Sequence, residues 1–208
     1  MTKLHRYFTK CKLHVNINKT EAILFTKRRP AILNPLQFQH TDIPWNPHIR
    51  YLGLMLDSRL LITKHLHSVI HKATGTFLKL FPLLASNSTL SPHNKLTLYK
   101  LLIRPVLTFT APVWSNTSST NYRQLKILPS KCLRVTGNYP RCTPITHLHT
   151  TLNLKPIHEF IYLLTDKFFY SCPTHPNPLV RETGNYTLPD LHRQYTKYTH
   201  KQTKHLLL

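Results

Sequence analysis

One stretch, Ser91–Trp114 (SPHNKLTLYKLLIRPVLTFTAPVW), constrains more than any other what this chain can fold into. Ser91 offers an oxygen to unpaired backbone N–H groups, and Pro92 has the fixed φ that suits a first helical turn. Leu96, Tyr99, Leu102 and Ile103 recur at helical spacing, which predicts one apolar face. Lys95, Lys100 and Arg104 place positive charge on the remainder. Pro105 and Pro112 each lack a backbone donor and should kink or end the helix. The segment is too apolar for a surface arm and predicts a helix on which others pack.

The flanking sequence repeats this pattern. Thr63 is a candidate helix cap, followed by Leu66, Val69, Ile70, Ala73, Phe77, Leu80 and Leu84 at i, i+3, i+4 spacing. A further helix is expected from about Thr120 to Thr136, with Tyr122, Leu125, Leu128, Cys132 and Val135 inward and Pro129 in its middle. An interior proline costs about 3 kcal/mol or forces a kink. Thr143-Pro144 starts a short helix, and Pro156 begins another with Ile157, Phe160, Ile161, Leu164 and Phe168 inward. Upstream, Leu4, Tyr7, Phe8 and Cys11 suggest a short basic helix. Leu13, Val15 and Ile17 alternate with polar residues, and Ala22–Phe25 is apolar, which together predict a hairpin. Residues 31–50 read as loop. Ile49–Asp57 reads as a strand whose internal Gly53 marks a bulge or the close approach of another backbone.

Charge narrows the partners. The 28 Lys and Arg against 7 Asp and Glu give a formal charge of +21. Such a chain repels itself, and a polyanion relieves the repulsion. Nucleic acid is the leading partner, with an anionic membrane surface second. The run Lys27-Arg28-Arg29-Pro30 is either a solvated loop or a phosphate contact. Aromatic residues interleave with bases at Lys3–Phe8, Tyr99–Arg104, Tyr122–Lys126 and Tyr195–Lys201, an arrangement suited to stacking plus phosphate contact, though the helical ones also serve as core.

The same composition argues against several chemistries. No two acids are adjacent and there is no Asp-x-Asp, so a two-metal phosphoryl site would need distant carboxylates brought together. The 4 glycines leave no nucleotide-binding glycine loop. Among the 15 histidines, His67 and His71 are i, i+4, and His147 and His149 lie near Cys142, but neither HExxH nor CxxC occurs. Cys11, Cys132, Cys142 and Cys172 are too scattered for a disulfide framework, and none sits in a nucleophile signature. No run of 18 apolar residues and no leader-like apolar core is present, so no membrane association and an intracellular location, nuclear or cytoplasmic and not secreted, are expected.

The order of the segments carries a resemblance. NKTEAILFTKRRP, IPWNPHIRYLGLMLDSRL, HKATGTFLKLFPLL, LSPHNKLTLYKLLIRPVLTFTAPVW, NYRQLKILPSKCLRVTGNYPRCTPITHLH and NPLV follow one another as in the reverse transcriptases of jockey-type non-LTR retrotransposons. The likeness covers roughly residues 4–180. It departs from the family pattern at Leu61 and Ile62, where a Thr-Trp pair is usual, and at Pro129.

The resemblance implies the last palm strands plus the thumb of a right-hand polymerase, downstream of the catalytic Asp-Asp turn. The expected fold is α+β and predominantly α-helical: a small β-hairpin or strand remnant of the palm, a thumb-like helical bundle and a disordered basic tail. The expected divisions are 1–57, 58–178 and 179–208. By resemblance Lys19 matches the lysine that protonates the pyrophosphate leaving group, and Tyr51-Leu52-Gly53 matches the primer-grip hairpin. Arg104, Lys131, Arg134 and Arg141 are candidates for contact with a nucleic-acid backbone. No cofactor is expected within this chain, since Mg2+ would belong to the missing catalytic part. The implied function is non-specific binding of a template–primer duplex without catalysis, with a complete reverse transcriptase as a further partner. A stand-alone basic nucleic-acid-binding protein and a nonfunctional translated relic remain the alternatives.

Overall fold

The computed structural model of the protein describes residues 2–26, 34–38 and 40–183. They are mostly helical, with two small antiparallel strand pairs, the α+β class expected. The chain divides into two compact units, Met1–His67 and Ser68–Leu208.

The first unit opens with helix α1 (Thr2–Lys10) and a single 3-10 turn, Ile17–Lys19. The hairpin expected over residues 13–25 does not form. Thr20 Oγ1 donates to the Asn16 carbonyl at 2.9 Å, one of the local bonds by which short polar side chains compete with a ladder. Ala22 instead makes one isolated parallel bridge to Trp45, and Thr26 N–H donates to the Ser58 carbonyl. The stretch read as loop contains the first hairpin, β1 (Leu36–Phe38) and β2 (Thr41–Ile43), in the register Leu36↔Ile43 and Phe38↔Thr41. Phe38 and Ile43 are buried, which gives this short ladder an apolar side despite its prolines and polar residues.

The second hairpin pairs β3 (His48–Tyr51) with β4 (Leu54–Asp57), His48 facing Asp57 and Tyr51 facing Leu54. Gly53 therefore marks a two-residue turn between strands, not a bulge within one. Leu52 and Gly53 have φ of 47° and 84°, the left-handed pair that a tight hairpin with native twist requires. Asp57 then organises the exit. Its Oδ1 accepts from the N–H groups of Arg59 and Leu61, and its Oδ2 from that of Ile62.

Helix α2 (Thr63–Leu84) follows, with Thr63 as its first residue. The Ile62 carbonyl accepts the Leu66 N–H. His65 is buried within the first unit, and its Nδ1 accepts from the Met55 N–H of β4 at 3.4 Å.

In the second unit the remainder of α2 buries Val69, Ala73, Phe77 and Leu84, on the expected face. Next come α3 (Pro92–Leu98), a π-turn (Tyr99–Ile103), α4 (Arg104–Leu107) and α5 (Ala111–Trp114). Ser91 caps α3 as expected, its side chain accepting from the Asn94 N–H at 3.3 Å. The π-turn sits immediately before Pro105, where the helix must absorb a missing donor and a bulky ring. Leu96, Tyr99, Ile103 and Leu107, at i, i+3, i+7 and i+11, are buried, while Leu102, expected inward, lies off that face and is 43% exposed. Lys95, expected at the surface, is buried, and its Nζ donates to the Ala85 carbonyl at 2.6 Å. Trp114 is buried and donates Nε1–H to the Phe109 carbonyl.

Helix α6 (Ser119–Thr136) runs through Pro129 without interruption, capped by Ser118. Tyr122, Leu125, Leu128, Cys132 and Leu133 form its buried face. Helices α7 (Ile145–Thr151), α8 (Ile157–Ser171) and α9 (Pro178–Arg181) complete the unit. On α8, Ile157, Ile161 and Thr165 are buried, whereas Phe168, expected inward, is 43% exposed. Lys27–Pro30 and all of the expected tail beyond residue 183 lie outside the described residues.

Candidate nucleic-acid interface

In the first unit the residues singled out lie on exposed turns. Lys19 ends the 3-10 turn, which the Thr20 N–H closes on the Ile17 carbonyl, and its side chain is exposed. Tyr51 and Leu52 are 60% and 80% exposed at the tip of the β3–β4 hairpin. Two large apolar side chains held out of any core by a tight turn form a surface that could rest on sugar and base. Gly53 removes the side chain where backbone would approach most closely.

In the second unit the four arginines and lysines fall into two kinds. Lys131 and Arg141 are exposed, one on α6 and one in the loop that follows it. Arg134 and Arg104 are half-buried and engaged within the fold. The Arg134 guanidinium donates to the Ser130 carbonyl through Nη1 and to the Thr143 carbonyl through Nη2, clasping the 137–143 loop to the end of α6. Its buried Nε has no partner. Gly137 permits the tight exit, because a Cβ there would collide with the Tyr139 ring. The Arg104 guanidinium lies 3.9 Å from the centroid of the Phe160 ring of α8, a cation–π contact. Burial lowers the Arg104 pKa from its ordinary value, with the Tyr99 hydroxyl opposing. Arg104 therefore contributes packing, and Arg134 shapes the surface that Lys131 and Arg141 occupy.

The exposed side of α6 adds Arg123 and Lys126 to Lys131. Spacings of three to five residues keep them on the outer half of the helix, opposite Leu125, Leu128 and Cys132. In the sequence Arg123 enters only as part of the aromatic and basic interleaving at Tyr122–Lys126, whose helical aromatics also serve as core. Lys126 reads there as helix charge and as the basic end of that same interleaving.

Burial pushes the Cys132 thiol up to about 12, far from a nucleophile's range. Among the described residues no three His, Cys, Asp or Glu side chains come together as a metal site. No described helix is long and apolar enough to cross a membrane.

Comparison with known proteins gives a consistent picture. No protein-family model and no solved structure matches the chain. The chain is 26% identical over 165 residues to a Drosophila melanogaster protein described as a probable RNA-directed DNA polymerase from transposon X-element, a match covering 79% of this chain and 18% of that one. It is 26% identical over 179 residues to the RNA-directed DNA polymerase from mobile element jockey of Drosophila funebris, covering 84% of this chain and 19% of the relative. Against the polymerase from mobile element jockey of Drosophila melanogaster the figures are 23% over 176 residues, 83% and 19%. The chain is thus similar, over most of its own length and about a fifth of theirs, to the RNA-directed DNA polymerases of jockey-type and other non-LTR retrotransposons.

Proposed function

We propose that this chain is the palm-end and thumb portion of a non-LTR reverse transcriptase and that it grips a template–primer duplex by its phosphates. The observation that carries the reading is the similarity to mobile-element polymerases over about four-fifths of the chain. The exposed bases of α6 and the following loop supply the means. Lys126, Lys131 and Arg141 offer charge without a matched set of base-reading side chains, as suits a grip indifferent to sequence. Tyr51, Leu52 and Gly53 form the primer-facing tip.

Catalysis belongs elsewhere on this reading. Nucleotide transfer needs clustered carboxylates to hold Mg2+. Among the described residues no three Asp, Glu, His or Cys come together, and no chemical step is assigned to this chain. Lys19 would act as general acid only beside a catalytic centre supplied by other residues, whether in a longer chain or in an associated complete polymerase.

The test is a binding and extension assay on the purified chain. A fluorescent RNA–DNA duplex should bind with a steep salt dependence, duplexes of random and defined sequence should compete equally, and no primer should be extended. Binding that is insensitive to salt overturns the grip. A marked sequence preference would instead favour a stand-alone nucleic-acid reader, and primer extension would sink the assignment of catalysis to other residues.

A further inference from the structure

A cleft of about 350 Å³ opens in the second unit between the α5–α6 connection, the first turns of α6 and the start of α8. Arg123 and Lys126 line it from α6, and His158 and Tyr162 line it from α8. We propose that this cleft takes one unpaired nucleotide of a single-stranded segment, its phosphate against Arg123 and Lys126 and its base over Tyr162. The inference rests on the nucleic-acid-binding reading above and adds a site that a duplex grip does not require.

Several independent features point to this ligand. The cleft's size lies at the small end of the range for compact ligands and is far too small for a duplex. Tyr122, Tyr162 and His158 make a continuous aromatic cluster, with ring centroids 5.9 Å apart for Tyr122–Tyr162 and 6.5 Å for His158–Tyr162. Tyr122 is fixed in place, its hydroxyl donating to the Ser115 carbonyl at 2.6 Å. Tyr162 packs against it at a tilt of 48° and is 39% exposed, so a ring supported by a fixed neighbour keeps surface free. Such a supported ring is what base stacking uses, whatever the base.

Among the described residues the ion pair at this wall joins His158 Nε2 to Glu159 Oε1 at 4.0 Å, and it involves neither Arg123 nor Lys126. His158 Nδ1 is buried and has no hydrogen-bond partner, which leaves a polar group at the wall that the fold itself does not satisfy. The interleaving of aromatic and basic residues at Tyr122–Lys126 thereby splits by role: Tyr122 is core support, and Arg123 and Lys126 face the opening.

Fluorescence anisotropy on the whole chain tests the proposal with three probes: a short oligothymidylate, an abasic phosphodiester of the same length, and a blunt duplex. The oligothymidylate should bind about tenfold more tightly than the abasic strand. Tyr162→Phe should keep that ratio. Tyr162→Ala should bring it to about one while duplex affinity stays within about twofold, and its circular dichroism and its duplex binding together show that the variant folds. Arg123→Ala should weaken both single strands. A ratio near one in the wild type, or a ratio that survives Tyr162→Ala, overturns the proposal. If the wild type binds duplex but shows no ratio, only this inference fails; if it binds none of the probes, the reading beneath it fails as well.

Discussion

Lys95 shows how far a single side chain can depart from its sequence pattern. It sits among residues that read as a charged outer face, yet it is only 5% exposed and donates to the Ala85 carbonyl just beyond α2. A buried ammonium without a partner is strongly unfavourable, so the bond both satisfies the charge and ties the end of one helix to the next. Lys95→Met keeps the stem and removes the donor. It should lower stability by about 1.5–3 kcal/mol, the worth of a hydrogen bond from a charged donor, while the Ala85 carbonyl keeps the Ser88 N–H. Denaturant unfolding measures this, and an unchanged midpoint would contradict the role. His158 makes a pH prediction. Burial, reinforced by Lys126 and weakly by His149, lowers its pKa from the usual 6.5, with Glu159 opposing. The folded chain thus binds the proton less readily than the unfolded chain. Stability linked to His158 is complete above the unfolded value and declines as pH falls through it towards the folded value. His158→Gln should flatten part of the loss in thermal stability measured from about pH 7 to about pH 5. A profile identical to wild type would remove His158 from the linkage.

Among the elements, the β3–β4 hairpin is where local chemistry and fold disagree most. Its turn places Leu52 at a φ of 47°, a region that leucine enters at a cost of about 1 kcal/mol or more. Asn-Gly is the pair this turn prefers, so Leu52→Asn should raise stability by up to about 1 kcal/mol, and Gly53→Ala should lower it by a similar amount. Thermal melts of the two variants check both signs. If Leu52 rests on the primer, the more stable Leu52→Asn chain should also bind duplex less well, separating function from folding. The same hairpin explains what could be read from sequence. Long periodic helices were legible because packing enforces their pattern: α2, α6 and α8 begin within a residue or so of where Thr63, Thr120 and Pro156 place them. Alternation over Leu13–Ile17 was not enough for a strand, since a strand needs a neighbour and this stretch has none among the described residues. Leu102 faces outward because it lies off the stripe that Leu96, Tyr99, Ile103 and Leu107 make at ordinary helical spacing, so the spacing rule applied strictly already excludes it. The basic positions were legible as charge but not as roles, because cation–π stacking of Arg104 on Phe160 and the clasp made by Arg134 depend on partners distant in sequence.

At the level of the whole chain, a charge of +21 favours a polyanionic partner, and on the proposed grip the geometry decides which cations can act on a duplex. Arg104 and Arg134 are committed within the fold, whereas Lys131 and Arg141 reach solvent. Each phosphate neutralised releases condensed counterions and contributes about 0.9 to the slope of log affinity against log salt. The pair Lys131→Glu, Arg141→Glu should therefore reduce that slope by roughly 2 and weaken duplexes of every sequence alike. Arg104→Gln should behave oppositely, losing stability through its contact with Phe160 while leaving the slope unchanged. Salt titrations by fluorescence anisotropy, paired with thermal melts, separate the two classes. A slope unchanged by the exposed pair would place the duplex elsewhere on the chain, and a slope reduced by Arg104→Gln would show that a cation stacked on Phe160 still meets phosphate.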